Sequence, residues 1–264
     1  MEIKYKKAFG QNFIYDTNLL KAIVQDAKIS CEDEVLEIGV GAGTLTKELA
    51  SKSKKVVCYE IDESLKEIIS QNISAFNNVK INFKDILKAD ENEINAQFEN
   101  SFKIVANLPY YITTPIIFKF LEGKFNITSL TIMVQKEVGE RICSKEKSKD
   151  YGILSVMIQS FADAKIVRQI NRQMFTPVPN VDSCLVKIDI NKNKYNINNL
   201  IEYRNFISTC FSMRRKTLIN NLKSYSSKED IINALNELNL KENTRSEELS
   251  IKSLVDLFNI LNKK

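Results

Sequence analysis

Glu34-Val35-Leu36-Glu37-Ile38-Gly39-Val40-Gly41-Ala42-Gly43-Thr44 is the stretch that decides the fold. Glu34 to Ile38 reads as a strand. Three glycines at alternate positions then turn the chain, and Thr44 opens a helix to about Ser51. Glycine in such a turn tolerates positive φ and lets a ligand approach the backbone closely, and the amides of a helix start can receive an anionic group. A dinucleotide fingerprint needs G-x-G-x-x-G, but position 44 is Thr, so the third glycine arrives one residue early. Outward from this turn, strand and helix patterns alternate. Asp16 is a candidate N-cap for a helix to about Ala27 with Leu19, Leu20, Ile23 and Val24 on its apolar stripe. Strands are predicted over Lys55–Tyr59, Val79–Phe83, Phe102–Ala106 and Leu130–Val134. Between them lie helices from Glu63 to about Phe76 and from Thr113 or Thr114, with Pro115 near its first position. That alternation predicts an α/β fold with a mainly parallel, doubly wound sheet.

An acid two residues before the first glycine matches motif I of the S-adenosylmethionine-dependent methyltransferases, a Rossmann-like class I fold in which such an acid, here Glu37, can meet the methionine's amino group. Glu60 ends the next strand, 21 residues after Gly39; an acid about 20 residues on is where a ribose diol is gripped. Asp85 ends the strand after that and could accept from an adenine's exocyclic amine.

The strand Phe102 to Ala106 stops at Asn107-Leu108-Pro109-Tyr110, because Pro109 cannot donate to a ladder. It displays an amide, a free carbonyl and a ring at a strand's carboxyl edge, where open α/β sheets hold their ligands. An amide to grip a planar amine and a ring to stack on it is what recognition of an extruded nucleobase requires. Asn107-Leu108-Pro109-Tyr110 also fits the [Asn/Asp/Ser]-x-Pro-[Tyr/Phe] motif of amino-methyltransferases acting on adenine N6 or cytosine N4. Hydrogen bonds from the amine to the Asn107 side-chain oxygen and the Pro109 carbonyl would make the nitrogen more tetrahedral and its lone pair more available. Such chemistry rests on positioning and electrostatics. It therefore suits a chain of 264 residues with no histidine, which lacks every Ser-His or Cys-His nucleophile and the commonest general base.

Composition narrows the class further. The chain allows one large domain or one large and one small. Five scattered cysteines without a C-x-x-C pair give poor support for structural zinc or a disulfide framework, and no metal is expected. With no apolar run long enough to span a bilayer and no signal-peptide pattern, the expected location is the cytoplasm. The net charge of +5 is concentrated in residues 191–264, which hold 13 basic and 8 acidic residues, whereas residues 1–190 hold 25 of each. The Asn/Lys-rich stretch Asn191–Asn199 reads as a linker. It divides a domain 1–190, with a basic N-terminal arm and closing strands over Val167–Ile170 and Ser183–Ile190, from an all-helical domain 191–264. Helices are predicted near Leu200–Phe211, Arg214–Tyr225, Lys228–Leu238 and Ile251–Leu261.

Six motifs stand in one order: Phe9-Gly10-Gln11-Asn12-Phe13, Glu37-Ile38-Gly39-x-Gly41-x-Gly43, Asn107-Leu108-Pro109-Tyr110, Gln135-Lys136-Glu137, Phe175-x-Pro177-x-Pro179-x-Val181-x-Ser183 and Arg214-Arg215-Lys216-Thr217-Leu218. Over residues 8 to about 222 the chain resembles the KsgA-type rRNA adenine N6,N6-dimethyltransferases. The resemblance implies methyl transfer from S-adenosylmethionine, giving S-adenosylhomocysteine. Its target would be two adjacent adenosines in a hairpin near the 3′ end of 16S rRNA within the immature small ribosomal subunit. It assigns Asn12 and Ile14 to the donor pocket's N-terminal wall, Gly39 and Gly41 to the methionine end, Glu60 to the ribose and Asp85 to the adenine. Asn107 would border donor and target, Tyr110 would stack on the target base, and Phe175 would be a second jaw or else core. Ile14 stands where the family usually has Leu. Lys4, Lys6 and Lys7 with Arg214, Arg215 and Lys216 become candidate RNA contacts, since phosphate contacts supply most nucleic-acid affinity. A monomer is the default expectation.

Three alternatives remain open on the sequence. An Erm-type enzyme would act on a large-subunit rRNA adenine, although Leu108, Tyr111 and Arg214-Arg215-Lys216-Thr217-Leu218 favour the small-subunit group. A DNA adenine methyltransferase would need a target-recognition domain that no segment suggests. A non-catalytic RNA-binding factor of the same fold would have no reason to keep Glu37, Glu60, Asp85 and Asn107.

Overall fold

The computed structural model describes residues 10–262. Contacts divide the chain into two compact units, one running to Gly139 and including Lys165–Ile190, the other made of Glu140–Ala164 and the chain from Asn191. The edge expected at 190/191 recurs, but residues 140–164 group with the C-terminal helices rather than with the first domain. Their polar groups find partners there: Ser160 Oγ hydrogen-bonds Tyr203 Oη at 2.8 Å, and Tyr151 Oη donates to the Leu249 carbonyl at 3.0 Å. Phe161 also meets Tyr203 edge-on. Satisfying buried hydroxyls in this way is what makes such helices inseparable from the segment that covers them.

In the first unit the strands are β1 (Phe13–Ile14), β2 (Glu34–Ile38), β3 (Lys55–Glu60), β4 (Val79–Phe83), β5 (Phe102–Asn107), β6 (Ile127–Gln135), β7 (Ala162–Ile170), β8 (Phe175–Thr176) and β9 (Ser183–Ile190), the first residues of β7 being shared with the second unit. Seven of them form one sheet in the order β4-β3-β2-β5-β6-β9-β7, and β1 pairs with β8 alone. Pairings from β4 through β6 are parallel, and β9 runs antiparallel to β6. The chain winds outward in both directions from β2, so a crevice opens beyond the carboxyl ends of β2 and β5. Every residue of β2 is buried, as expected of a parallel strand covered on both faces. The helix Thr17–Asp26 starts where Asp16 Oδ1 accepts the Leu19 N–H at 2.7 Å, and it buries Leu19, Leu20, Ile23 and Val24. These pack with Val35, Leu49, Val56, Ile69 and Val105 into the core beneath the crevice.

Several elements depart from the sequence reading, among them β7, the predicted helix Arg214–Tyr225 and the stretch after β3. Strand β7 begins at Ala162, five residues before the predicted start; Ala162-Asp163-Ala164-Lys165-Ile166 alternates as a strand does, but Ala, Asp and Lys have low strand propensity. The predicted helix Arg214–Tyr225 reduces to Leu218–Asn221 with a short 3-10 turn after it. There Asn221 Nδ2 donates to the carbonyls of Cys210 (2.6 Å) and Met213 (3.2 Å), satisfying the end of the helix Leu200–Cys210 and holding residues 213–217 as a turn. The stretch after β3 splits into a 3-10 turn, Glu63–Leu65, and a helix, Lys66–Ile73, shorter than predicted.

Candidate active site

The turn after β2 adopts the conformations its glycines allow. Gly39 has φ +79° and Gly41 φ +58°, both in the left-handed region that costs an L-residue roughly 1–2 kcal/mol. A Cβ on Gly41 would lie 3.1 Å from the Phe13 ring, and one on Gly39 would lie 3.4 Å from the Asn107 carbonyl oxygen. The turn is thus pressed between the N-terminal segment and the end of β5. Beside it opens a cavity of about 350 Å³. Its walls come from residues 10–14, the turn itself, the end of β3, residues 84–87 after β4, and Asn107 to Pro109 with Tyr111 and Ile112.

Of the acids singled out from sequence, Glu60 and Asp85 line this cavity. Glu60 is 6 % exposed. Its Oε2 accepts the Gly41 N–H at 3.0 Å and its Oε1 the Asp62 N–H at 2.8 Å. Burial pushes its carboxyl above the usual range, while these backbone donors pull it back. Asp85 Oδ1 accepts the Leu87 N–H at 2.9 Å, which fixes the side chain at the cavity edge. Glu37 does not join them: it is fully buried under the turn, is not among the cavity-lining residues, and takes the Cys58 thiol on Oε2 at 3.5 Å. Burial, first among the causes, pushes its carboxyl up to about 8. Neutral at pH 7, it is unsuited to pairing with an ammonium group.

At the end of β5, Asn107 Nδ2 donates to the Asn12 carbonyl at 2.7 Å. Oδ1 has no partner among the described residues, and Asn107 stands in the cavity wall. The Pro109 carbonyl, assigned from sequence to the target amine, is committed elsewhere. It accepts the Ile112 N–H at 3.1 Å and the Thr113 hydroxyl at 3.5 Å. These bonds form because the chain turns into a helix, Thr113–Glu122, whose start has no side-chain cap. One position earlier, the Leu108 carbonyl accepts no hydrogen bond among the described residues. Tyr110 is half-buried and shares a hydrogen bond with Ser183 Oγ at 2.7 Å. It does not line the cavity; the neighbouring Tyr111, 60 % exposed, does.

Phe175 departs most from the sequence assignment. It is 1 % exposed, pairs opposite Ile14 in the β1–β8 ladder and sits in the hydrophobic core. A ring so enclosed presents no face to a base, so the reading of Phe175 as a second jaw gives way to core packing. Asn12 and Ile14 stand in the cavity wall, with the Ile14 carbonyl accepting the Thr44 hydroxyl at 2.9 Å. Arg214, Arg215 and Lys216 lie in the second unit, all exposed, with Arg214 Nη2 donating to the Ser148 carbonyl at 3.2 Å. Lys4, Lys6 and Lys7 lie outside the described residues.

Asp62 was not singled out from sequence, yet it is 3 % exposed and holds Gln11, Ser64 and, through its own amide, Glu60. The signal for it is slight: an acid two positions past a strand-ending acid, followed by Ser64 at capping distance.

The sheet order, the glycine turn and the cavity edged by strand-end carboxylates and Asn107 define a Rossmann-like methyltransferase. Known proteins agree. A solved dimethyladenosine transferase from Plasmodium falciparum superposes with a TM-score of 0.82 at 27 % identity, covering 93 % of this chain and 95 % of that one. The 23S rRNA methyltransferase ErmE superposes with a TM-score of 0.73 at 25 % identity, covering 96 % and 100 %. Ribosomal RNA small subunit methyltransferase A of Clostridium botulinum (strain Kyoto / Type A2) is 43 % identical over 253 residues, 95 % of this chain and 92 % of the relative. That of Clostridioides difficile (strain 630) is 41 % identical over 266 residues, 99 % and 92 %. The family model for ribosomal RNA adenine dimethylase matches residues 2–263, and the chain belongs to that family.

Proposed function

We propose that the protein transfers methyl groups from S-adenosylmethionine to the N6 nitrogens of two adjacent adenosines of 16S rRNA during small-subunit assembly, giving N6,N6-dimethyladenosine. The observation that carries this reading is Asn107: its amide nitrogen is tied to the Asn12 carbonyl, so an oxygen acceptor is offered in the wall that also holds the glycine turn, Glu60 and Asp85. An exocyclic adenine amine has two N–H donors and a lone pair delocalised into the ring. Asn107 Oδ1 and the Leu108 carbonyl accept those two hydrogens, which favours a tetrahedral nitrogen and turns its lone pair out of the ring.

The cavity residues fit a nucleoside donor. Glu60, already braced by two backbone amides, keeps lone pairs for a ribose diol. Asp85, held by the Leu87 amide, has an oxygen for an adenine amine, and the backbone of Gly39 and Gly41 can be approached closely because neither carries a Cβ. The sulfonium donor, when bound, supplies an electrophilic methyl and departs as a neutral thioether, so no side chain need stabilise a charged leaving group. The amine proton is lost to solvent after the new C–N bond forms, in keeping with a site that has no histidine. Asn107 and the backbone around it do the work of alignment.

Charge in the second unit supports an RNA partner. Arg214, Arg215 and Lys216 would contact phosphate, making binding salt-dependent. Action on ribosomal RNA accords with a cytoplasmic location. The small-subunit target rests on the 41–43 % identity to small-subunit enzymes, against 25 % to the large-subunit enzyme ErmE. The test is radiolabelled methyl transfer to under-methylated small subunits, large subunits and DNA in parallel. Label in small-subunit RNA as N6,N6-dimethyladenosine is expected; label in large-subunit RNA alone would overturn the reading.

A further inference from the structure

Residues 10–14 form one wall of the cavity as a strap, and the bonds that hold it are specific. Phe13 and Ile14 pair with β8, and Thr44 Oγ1 donates to the Ile14 carbonyl. At the other end Gln11 Nε2 donates to Asp62 Oδ2 at 2.8 Å. Between these fixed ends, the Asn12 carbonyl receives Asn107 Nδ2. That single bond decides which end of the Asn107 amide is left over. An asparagine side chain rotated by half a turn has nearly the same shape but offers a donor where it had an acceptor. Only the oxygen can receive an amine hydrogen.

We propose that Gln11 and Asp62 are positioning residues for methyl transfer: their hydrogen bond latches the strap so that the Asn12 carbonyl keeps the Asn107 oxygen toward the target amine. This rests on the methyl-transfer reading above and extends it to two residues outside the reacting centre. The chemistry of Asp62 fits the task. Oδ2 takes the Gln11 amide, while Oδ1 takes the Ser64 N–H at 3.1 Å and the Ser64 hydroxyl at 2.6 Å. These three partners all donate, so both side-chain oxygens must accept, and an aspartate does so where an asparagine presents one NH₂. Asp62 is also bound through its amide to Glu60, which joins the latch to the cavity wall on the donor side. Gly10, at φ +57°, lets the chain turn into the strap beneath Tyr111, whose ring would be 3.4 Å from a Cβ there.

The arrangement permits a swap test. Gln11→Glu sets two carboxylates against each other. Asp62→Asn alone opposes its amide NH₂ to the Gln11 NH₂, and restoring the bond requires the Gln11 amide to turn over. In the double variant Gln11→Glu/Asp62→Asn, the new amide at position 62 donates to the new carboxylate at position 11 and still accepts from Ser64, so the bonds between these three residues are matched again. The experiment measures kcat and KM for under-methylated small subunits, donor Kd by calorimetry, and Tm for the wild type, both singles and the double, with Asn107→Ala alongside. The latch predicts that Gln11→Glu lowers kcat about tenfold, the size of one lost charge-assisted bond. Tm should fall as well, because two carboxylates then face each other at the buried Asp62, and the double variant should recover most of both kcat and Tm. Wild-type kcat in Gln11→Glu, or no recovery in a folded double variant, would overturn the latch. Should the double variant fail to fold, Gln11→Ala decides: it removes the donor without adding charge, and unchanged kcat would equally overturn the proposal. An inactive wild type would instead indict the methyl-transfer reading itself.

Discussion

Glu60 Oε2 accepts the Gly41 N–H at 3.0 Å, which ties the end of one strand to the turn after its neighbour. With Oε1 held by the Asp62 N–H, the carboxylate is fixed before any ligand arrives. Preorganisation of this kind limits the ordering cost of binding. Glu60→Gln keeps the size but sets an NH₂ against one of two backbone donors. Affinity for S-adenosylhomocysteine should fall about tenfold or more, read by titration calorimetry. Unchanged affinity would remove Glu60 from the donor site.

Glu37 should make stability pH-dependent in an unusual direction. Its carboxyl is raised from 4.5 to about 8 in the folded state, first by burial. Between those values the native protein holds a proton that the unfolded chain has released. Stability from this group is therefore complete below about pH 4.5 and is lost as pH rises toward 8, at up to about 1.4 kcal/mol per pH unit. Urea unfolding of wild type and Glu37→Gln from pH 5 to 9 checks it. The difference between the two should follow that slope and flatten above pH 8; a constant difference would mean that Glu37 is ionised in the fold.

Phe175→Ala should act on stability before it acts on catalysis. Emptying a core site of this size costs about 3–5 kcal/mol, and Phe175 is 1 % exposed. A fall of that order in the unfolding free energy is expected. A variant of native stability that fails only in methylation would return Phe175 to the target site.

What was legible in the sequence was whatever a local pattern encodes. Strand β2, its glycine turn and the Pro109 stop follow from φ preferences and a missing donor, so Gly39 and Gly41 could be read as a turn and Asn107, Glu60 and Asp85 as strand-end residues from local pattern. The α/β class followed from the same alternation, and the sheet order and the superposed dimethyladenosine transferase bear it out. What was not legible depends on partners distant in sequence. Phe175 looks the same whether it faces a base or the core, and only its pairing with Ile14 decides. The Pro109 carbonyl looked free until the turn to Ile112 claimed it. Glu37 has the right residue type for a ligand, but which face of β2 meets the cavity depends on the sheet. The turn at 213–217 depends on Asn221 reaching back to Cys210, a contact that helical periodicity does not register.

The central claim is that the Asn107 oxygen holds the target amine, and Asn107→Ala tests it most directly. Methyl transfer to under-methylated small subunits is measured under single-turnover conditions, with donor affinity determined on the same preparation. Loss of an oriented acceptor at the reacting atom should slow transfer by about a hundredfold or more, with donor affinity within about threefold of wild type, since a neutral amide contact contributes only modestly to binding. Transfer at the wild-type rate would contradict the account.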